Sequence, residues 1–295
     1  MKLLIIGASG VLGSRLYDDT IKKKWDTRGT FFSHERKGFF CVDMADKSGV
    51  HKIFDSFRPD TVALCGGITD VDLCEERPRL AEEVNIKGTA NIAEKAREYE
   101  ARLVLVSTDY IFNGDSGPYS EEDRPSPINV YGRTKLEAEN IVREKMKEYL
   151  IVRTAQLYGR DYRGKNFALK IIKNMQTNKE VYAADDFYST PTYAESLSQS
   201  VIELIEKDCQ GIFNVAGTDF LDRYSYVNKI ADIFRLKKTL VNKVLLKDLD
   251  LKAARPPKAG LNVSKAEKIL DASFMTVEKG LNLFKSELDN ASYEM

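Results

Sequence analysis

Short apolar runs alternate with stretches of helical spacing through the first half of the chain. Lys2 to Ile6 runs straight into a glycine-rich turn, and Val11 to Lys24 follows with Leu12, Leu16 and Ile21 on one side of a helical period. Gly29 to Phe32 and Phe39 to Val42 read as the second and third strands, and Lys47 to Phe57 as a helix. Thr61 to Cys65 is a buried strand closing on Gly66-Gly67; a long helical pattern from Arg79 to Tyr99 then leads to the apolar run Arg102 to Ser107. Five strands with intervening helices predict a parallel sheet with crossover helices, an α/β fold.

Asn113 to Pro127, dense in Gly, Pro, Ser and Asp, reads as a loop, and a helix is expected from beside Pro127 to about Tyr149, before a strand at Leu150 to Arg153. Beyond Tyr158 the alternation fades. Gly159 and Gly164 mark a boundary, Asn166 to Gln176 and Tyr224 to Phe234 have amphipathic helical spacing, and Pro191 to Ile205 also looks helical. Gly211 to Val215 looks like a strand able to return to the first sheet, and Arg255-Pro256-Pro257 interrupts any regular element near the C-terminal end. The expected division is a first domain over residues 1–160, rejoined by parts of 188–222, and a smaller domain over 161–295. The tail after about Ser286 is expected to be loosely held.

Composition narrows the classes of function. Lys plus Arg equals Asp plus Glu at 45 each, so net charge gives no case for nucleic acid or an anionic membrane as partner. Cys41, Cys65, Cys74 and Cys209 show no Cys-x-x-Cys pair, and only His34 and His51 could join them as soft ligands. They read as reduced thiols of a cytoplasmic protein with no catalytic metal. The apolar run Leu3 to Ile6 is too short for a signal sequence or a membrane span.

Three places carry candidate chemistry. Gly7, Gly10 and Gly13 follow a strand and open a helix, the arrangement that lets backbone approach a pyrophosphate at helix N-terminal amides. At the end of the second strand Ser33, His34, Arg36 and Lys37 could hold a 2′-phosphate, where an NAD-specific protein would place a carboxylate; Glu35 is the one acid there. Asp43 could accept from an adenine amino group or cap the helix beginning near Asp46. Cys65-Gly66-Gly67 would let backbone pass close to a dinucleotide. The third place is Thr108 followed by Tyr131 and Lys135. A phenol and an ammonium four residues apart lie on one helix face, so the lysine charge is expected to favour a phenolate and make the tyrosine a usable proton donor. Thr108, at the carboxyl end of a parallel strand, is either the third member of that set or a buried hydroxyl bonded to backbone.

Taken together these residues resemble the extended short-chain dehydrogenase/reductase family. Within it, Ser107 to Asn113, Gly117 to Asp123, Pro127 to Glu137 and Arg153 to Gly159 are similar to the dTDP-4-dehydrorhamnose reductases, with further similarity at Thr190 to Glu195, Gly211 to Gly217, Arg223-Tyr224 and Arg255-Pro256. The resemblance implies a Rossmann-type doubly wound sheet with a smaller C-terminal substrate-binding domain. It implies NADP(H), with NAD(H) as the alternative, held by Gly7, Ser9, Gly10, Val11, Leu12, Gly13, Ser33, His34, Arg36, Asp43, Met44, Cys65, Gly66, Gly67 and Asn85 together with Tyr131 and Lys135. It further implies that Thr108 bonds a substrate ketone, Tyr131 delivers the proton and Lys135 tunes Tyr131 and binds the nicotinamide ribose. The substrate would be a nucleotide-linked 4-keto-6-deoxy sugar, with Val71, Asp109, Tyr110 and Gln156 facing the sugar and Asn166, Phe167 and Arg255 at its nucleotide and diphosphate end. A homodimer is a further expectation of the resemblance.

The chain departs from that pattern in two places. Gln156 stands where the reductases commonly carry an aromatic residue, and Cys65-Gly66-Gly67 replaces their Asn-Ala-Ala. Ala254 to Pro256 and Leu261 to Lys265 are also similar to the regulatory β subunit of methionine adenosyltransferase, a relative that keeps the fold and binds NADP as a partner protein. A nucleotide-sugar epimerase or dehydratase is the third alternative, although no Glu follows Asp109.

Overall fold

A computed structural model of the chain describes residues 1–161, 164, 166–272 and 274–291. Its first half builds β1 (Lys2–Ile6), α1 (Val11–Lys22), β2 (Asp26–Phe31), β3 (Phe40–Cys41), α2 (Lys47–Phe57) and β4 (Thr61–Leu64). There follow α3 (Val71–Glu76), α4 (Pro78–Ala81), a π-helical turn at Glu82–Lys87, α5 (Gly88–Glu98), β5 (Arg102–Thr108), α6 (Val130–Lys145) and β6 (Tyr149–Thr154). The second half adds β7 (Leu157–Tyr158), α7 (Phe167–Gln176), β8 (Val181–Ala184), β9 (Tyr188–Ser189), β10 (Thr192–Tyr193) and α8 (Ala194–Glu206). It ends with β11 (Gly211–Asn214), β12 (Leu221–Asp222), α9 (Arg223–Ile233), β13 (Val241–Val244), α10 (Ser264–Glu267) and α11 (Val277–Ala291).

Seven strands form one parallel sheet in the order β11-β6-β5-β4-β1-β2-β3, a doubly wound Rossmann-type fold. After β3 the chain crosses to the other side of β1 to lay down β4, so the order reverses between β1 and β4. A crevice opens at such a switch point, outside the carboxyl ends of the strands. Strand alternation divides the core. Leu4, Ile6, Leu103 and Leu105 face α2, α5 and α6, whereas Leu3, Ile5, Val104 and Val152 face α1 and α8. A second hydrophobic core gathers Ile171, Met175, Tyr226, Ile230, Leu281 and Phe284 around Tyr158, using α7, α9 and α11. Beside it β13 pairs in parallel with β8.

Several boundaries differ from the pattern-based expectation for identifiable reasons. β2 begins at Asp26 because the polar segment Asp26 to Arg28 pairs with Lys2 to Leu4, which hydrophobicity alone does not reveal. The long helix expected over Arg79 to Tyr99 is divided by the π-helical turn, where Gly88 passes so near Met44 that a Cβ would lie 2.8 Å from its side chain. Wide turns of this kind recur at functional sites. α6 starts at Val130, its Gly132 amide donating to the Asn129 cap at 2.8 Å, and stops at Lys145 because Met146 is extended. α8 starts at Ala194, because Thr192 and Tyr193 pair with β7. α11 continues through Ala291; of the expected loose tail, residues 292–295 lie outside the described residues. No helix among the described residues is long and apolar enough to cross a membrane.

One buried ion pair fixes α6 against the sheet. Arg153 of β6 donates through Nε and Nη2 to both oxygens of Glu139, at 3.0 and 2.7 Å, with the two side chains 3% and 1% exposed. The guanidinium also lies 5.5 Å from the Phe112 ring centroid. Removing one partner strands the other charge in a dry interior, so Glu139→Ala should cost about 3–5 kcal/mol. Urea unfolding checks this; a loss below about 1 kcal/mol would mean that water reaches Arg153.

Candidate active site

The turn after β1 is held open by glycine for steric reasons. Gly7 has φ +80°, and a Cβ there would lie 2.5 Å from Gly66 Cα; at Gly13 a Cβ would lie 2.3 Å from the Gly7 carbonyl oxygen. Gly10 is less constrained: its φ is −78°, and a Cβ there would press on that carbonyl at 3.3 Å, a tight contact and not an overlap. Gly10 caps α1 without a side-chain acceptor, which leaves the first amides of the helix available to an anion. The loops after β1 and β4 therefore meet backbone to backbone at the switch point. Gly67, at φ +148°, continues this close approach, since its Cβ would fall 2.8 Å from Asn85 Oδ1. Asn85 itself is fully engaged, accepting from the Ile68 amide at 2.8 Å and donating to the Ile68 carbonyl at 3.0 Å and Thr134 Oγ1 at 3.1 Å.

The remaining residues expected around a dinucleotide are spread along the same edge. Ser9, Val11 and Leu12 lie in the turn and first residues of α1, and Met44 is buried beneath Gly66. Ser33 Oγ and His34 Nδ1 lie 2.7 Å apart in an exposed position. Arg36 turns back onto α1, donating to Asp18 at 2.6 Å and stacking on Tyr17 and Phe39. Asp43 accepts from the Ala45 amide at 2.9 Å, while Asp46 caps α2 through Ser48 and Gly49; of the two readings open for Asp43, capping belongs to Asp46.

Thr108, Tyr131 and Lys135 converge at the carboxyl end of β5, all three buried. Tyr131, Lys135 and Glu139 share one stripe of α6 turned to the sheet. Gly132 makes this possible: a Cβ there would lie 2.1 Å from the Tyr110 carbonyl oxygen. Lys135 Nζ donates to the Val106 carbonyl at 2.7 Å. Burial pushes its ammonium down to about 8, opposed by the charges of Glu139 and Cys65. Burial raises the Tyr131 phenol, the hydrogen bond with Thr108 opposes the rise, and Asp109, Cys74 and Tyr110 add to it. The expected lowering by Lys135 is not the governing effect. Desolvation is, and it keeps the phenol protonated. Burial likewise pushes the Cys65 thiol up to about 12 against the Lys135 charge.

On the other side of this group, Val71 at the start of α3 and Tyr110 pack with Tyr131, whose ring meets Tyr110 edge-on at 5.8 Å. Asp109 is 1% exposed, with Thr108 Oγ1 donating to its Oδ1 at 3.2 Å and Ser189 Oγ to its Oδ2 at 3.5 Å. Desolvation pushes this carboxyl up to about 7, against those hydrogen bonds and the Arg223 charge. Gln156 has φ +37°, and among the described residues its buried Nε2 has no hydrogen-bond partner, nor have the buried hydroxyls of Ser107 and Thr154. Arg255 pairs with Asp72 at 2.9 Å and donates to the Ala253 carbonyl at 2.8 Å. Asn166 caps α7 through the Leu169 amide and donates to the Gly159 carbonyl, so both ends of its amide are occupied.

Sequence reasoning did not single out Arg223 as a site residue. Its guanidinium is stacked over Phe167 at 4.2 Å and Phe187 at 4.8 Å, desolvated, and makes no ion pair among the described residues. One signal was available: an arginine in the first turn of a helix opposes the helix dipole, so its position needs another cause. Asp72 and Ser189 were missed as well, because each acts through a partner far away in sequence.

The chain matches the RmlD substrate binding domain over residues 1–289. Methionine adenosyltransferase 2 subunit beta of Mus musculus is 30% identical over 275 residues, covering 91% of this chain and 82% of that one. The "Probable low-salt glycan biosynthesis reductase Agl14" of Haloferax volcanii is 31% identical over 302 residues, 99% of this chain and 100% of its own. Among solved structures, dTDP-4-dehydrorhamnose reductase from Bacillus anthracis in complex with NADP superposes with a TM-score of 0.89 at 30% identity, covering 97% of this chain and 99% of that one. With the glycine turn, the buried hydroxyl, phenol and ammonium, and a match along nearly its whole length, the chain belongs to the RmlD substrate binding domain family, the dTDP-4-dehydrorhamnose reductase family of the extended short-chain dehydrogenases/reductases.

Proposed function

We propose that this protein reduces the C4 ketone of a nucleotide-linked 4-keto-6-deoxy sugar at the expense of NADPH, giving dTDP-L-rhamnose or a close analogue. The observation that carries the reading is the convergence of Thr108, Tyr131 and Lys135, all buried, at the end of β5 beside a glycine turn where an added Cβ would overlap backbone. The turn and the uncapped amides of α1 suit a pyrophosphate, and the Bacillus anthracis relative is described with NADP bound. Ser33, His34 and Arg36 are the candidates for a 2′-phosphate, Asp43 for the adenine, and Lys135 for the nicotinamide ribose. Bound NADPH supplies a hydride to the carbonyl carbon.

The chain's own residues do the rest. Thr108 orients the carbonyl oxygen. As the C=O electron pair moves onto oxygen, Tyr131 gives up its proton there, so ketone, hydride and proton together become the alcohol. The raised phenol suits a donor that must stay protonated until the oxyanion forms. Val71, Tyr110 and Gln156 would face the sugar, while Arg255 and Arg223 would meet the diphosphate, with Phe167 as the platform beneath Arg223 and Asn166 shaping the same end. A division into a dinucleotide-binding unit, residues 1–160 with β11 and α8, and a smaller substrate-binding unit around the second core is part of this reading, as is a cytoplasmic location.

A second reading has its own support. The 30% identity to a methionine adenosyltransferase β subunit, together with Gln156 in place of an aromatic residue, favours an NADP-binding regulatory subunit. The two separate on one assay: purified protein with NADPH and dTDP-4-dehydrorhamnose should oxidise NADPH in step with product, whereas binding without turnover on any 4-keto sugar would select the regulatory subunit.

Tyr131→Phe should lower turnover by about 10²–10⁴ while NADPH still binds, since general acid catalysis has that typical value. More than about a tenth of wild-type turnover in this variant would remove Tyr131 from the chemistry. Lys135→Met should weaken both NADPH affinity and turnover, and equilibrium binding followed by fluorescence distinguishes this from a bystander lysine, which would leave both unchanged.

A further inference from the structure

Thr108 has one proton and two lone pairs to share. The Tyr110 amide occupies one lone pair at 3.2 Å, and the hydrogen bond with the Tyr131 phenol is the one that an incoming ketone oxygen would replace. Asp109 Oδ1, also at 3.2 Å, takes what remains in one of two ways. An ionised carboxylate only accepts, so it captures the Thr108 proton and leaves that hydroxyl nothing to offer a ketone oxygen, itself an acceptor. A protonated carboxyl donates into the second lone pair of Thr108 and releases the Thr108 proton for the ketone. We propose that Asp109 is a positioning residue whose protonated carboxyl turns the Thr108 hydroxyl toward the substrate carbonyl, so that Thr108 serves as a donor only while Asp109 carries a proton. This inference rests on the ketone-reduction reading.

The surroundings favour a neutral carboxyl. Asp109 is sealed from solvent beneath Ser189 of β9, whose hydroxyl reaches Oδ2 and leaves Oδ1 to carry the proton toward Thr108. The ionisable groups that face it are Arg223 from α9 and the phenols of Tyr110 and Tyr131. Arg223 forms no ion pair with it, and its guanidinium lies against the rings of Phe167 and Phe187. Desolvation prevails and brings the carboxyl to about 7, inside the working range of pH. No proton is consumed here: the one on Asp109 only selects the direction of a hydrogen bond, and the proton transferred to product comes from Tyr131.

The test uses the full chain labelled with ¹³C at aspartate carboxyls, in wild type, Asp109→Asn and Ser189→Ala. The resonance missing from Asp109→Asn identifies Asp109, and its titration is read without substrate. In parallel, kcat/KM for dTDP-4-dehydrorhamnose is followed against pH. Wild type should lose about tenfold per pH unit above the Asp109 midpoint, and more steeply once the Lys135 ammonium also titrates. Asp109→Asn, whose amide can donate to Thr108 at every pH, should lose the first limb and keep the second. Ser189→Ala removes a donor to the carboxylate, so the midpoint and the kinetic limb should move together to higher pH.

A midpoint among the ordinary carboxylates, or a limb unmoved in Asp109→Asn while wild type turns over, overturns the role of Asp109 alone. Should Asp109→Asn fail to fold, the carboxyl resonance displaced in Ser189→Ala identifies Asp109, and its midpoint must coincide with the kinetic limb in wild type and in Ser189→Ala or the proposal falls. Absence of wild-type turnover on 4-keto sugars refutes the reductase reading and this role with it, whatever the carboxyl does.

Discussion

The seating of α6 on β5 and β6 is the constraint on which the rest of the site depends. Three contacts of different physical kinds set it. Glu139 and Arg153 form a bidentate pair in the dry interior, Lys135 reaches the Val106 carbonyl, and Gly132 lets the helix approach the backbone of Tyr110. Each would be costly alone: a buried charge needs its partner, an ammonium needs an acceptor, and a glycine in a helix forfeits entropy. Combined, they place the phenol of Tyr131 beside the hydroxyl of Thr108 with little freedom to move, which is what a site acting by orientation requires.

The same burial that fixes the geometry also sets the protonation states, and it does so in one direction. Lys135 is pushed down, while Tyr131, Asp109, Tyr110 and the Cys65 thiol are pushed up, so each group is driven toward its uncharged form. The phenols and the thiol stay neutral while Lys135, at about 8, keeps its charge at neutral pH, an arrangement that suits negative charge appearing on an oxygen only in passing. The stacked guanidinium of Arg223 is a second, permanent charge that burial does not neutralise.

What the sequence discloses, and what it withholds, divides along the range of the interactions. Short apolar runs located β1, β4, β5 and β6, because those strands are buried on both faces, and the run at Gly211 to Val215 located β11 at the edge of the sheet. The glycine turn and the Tyr131 to Lys135 spacing were legible because both are local, a few residues forming one turn or one helix face. The breaks in the Arg79 to Tyr99 pattern, the start of β2 and the whole of α3 were not, since each depends on a partner distant in the chain: Met44 against Gly88, Lys2 against Asp26, and Glu75 accepting from the Val130 amide. The environment of Asp109 belongs to this group too. Its residue type could be read, but that Ser189 seals it and Arg223 approaches it without pairing is a product of the fold.

The outermost strand β11 has a consequence for how the molecule is made. It pairs with β6 and belongs to the second half of the chain, as does α8, which packs on α1 and covers Leu3, Ile5, Val104 and Val152. A ribosome that has extruded the first six strands of this sheet has therefore delivered Thr108, Tyr131 and Lys135 with one apolar sheet face uncovered and the β6 edge open. Until Gly211–Asn214 emerges, another nascent chain can pair along that edge. Synthesis speed through this stretch, and chaperones that shield such edges, then bear on the yield of native protein even though the candidate site residues have already been made.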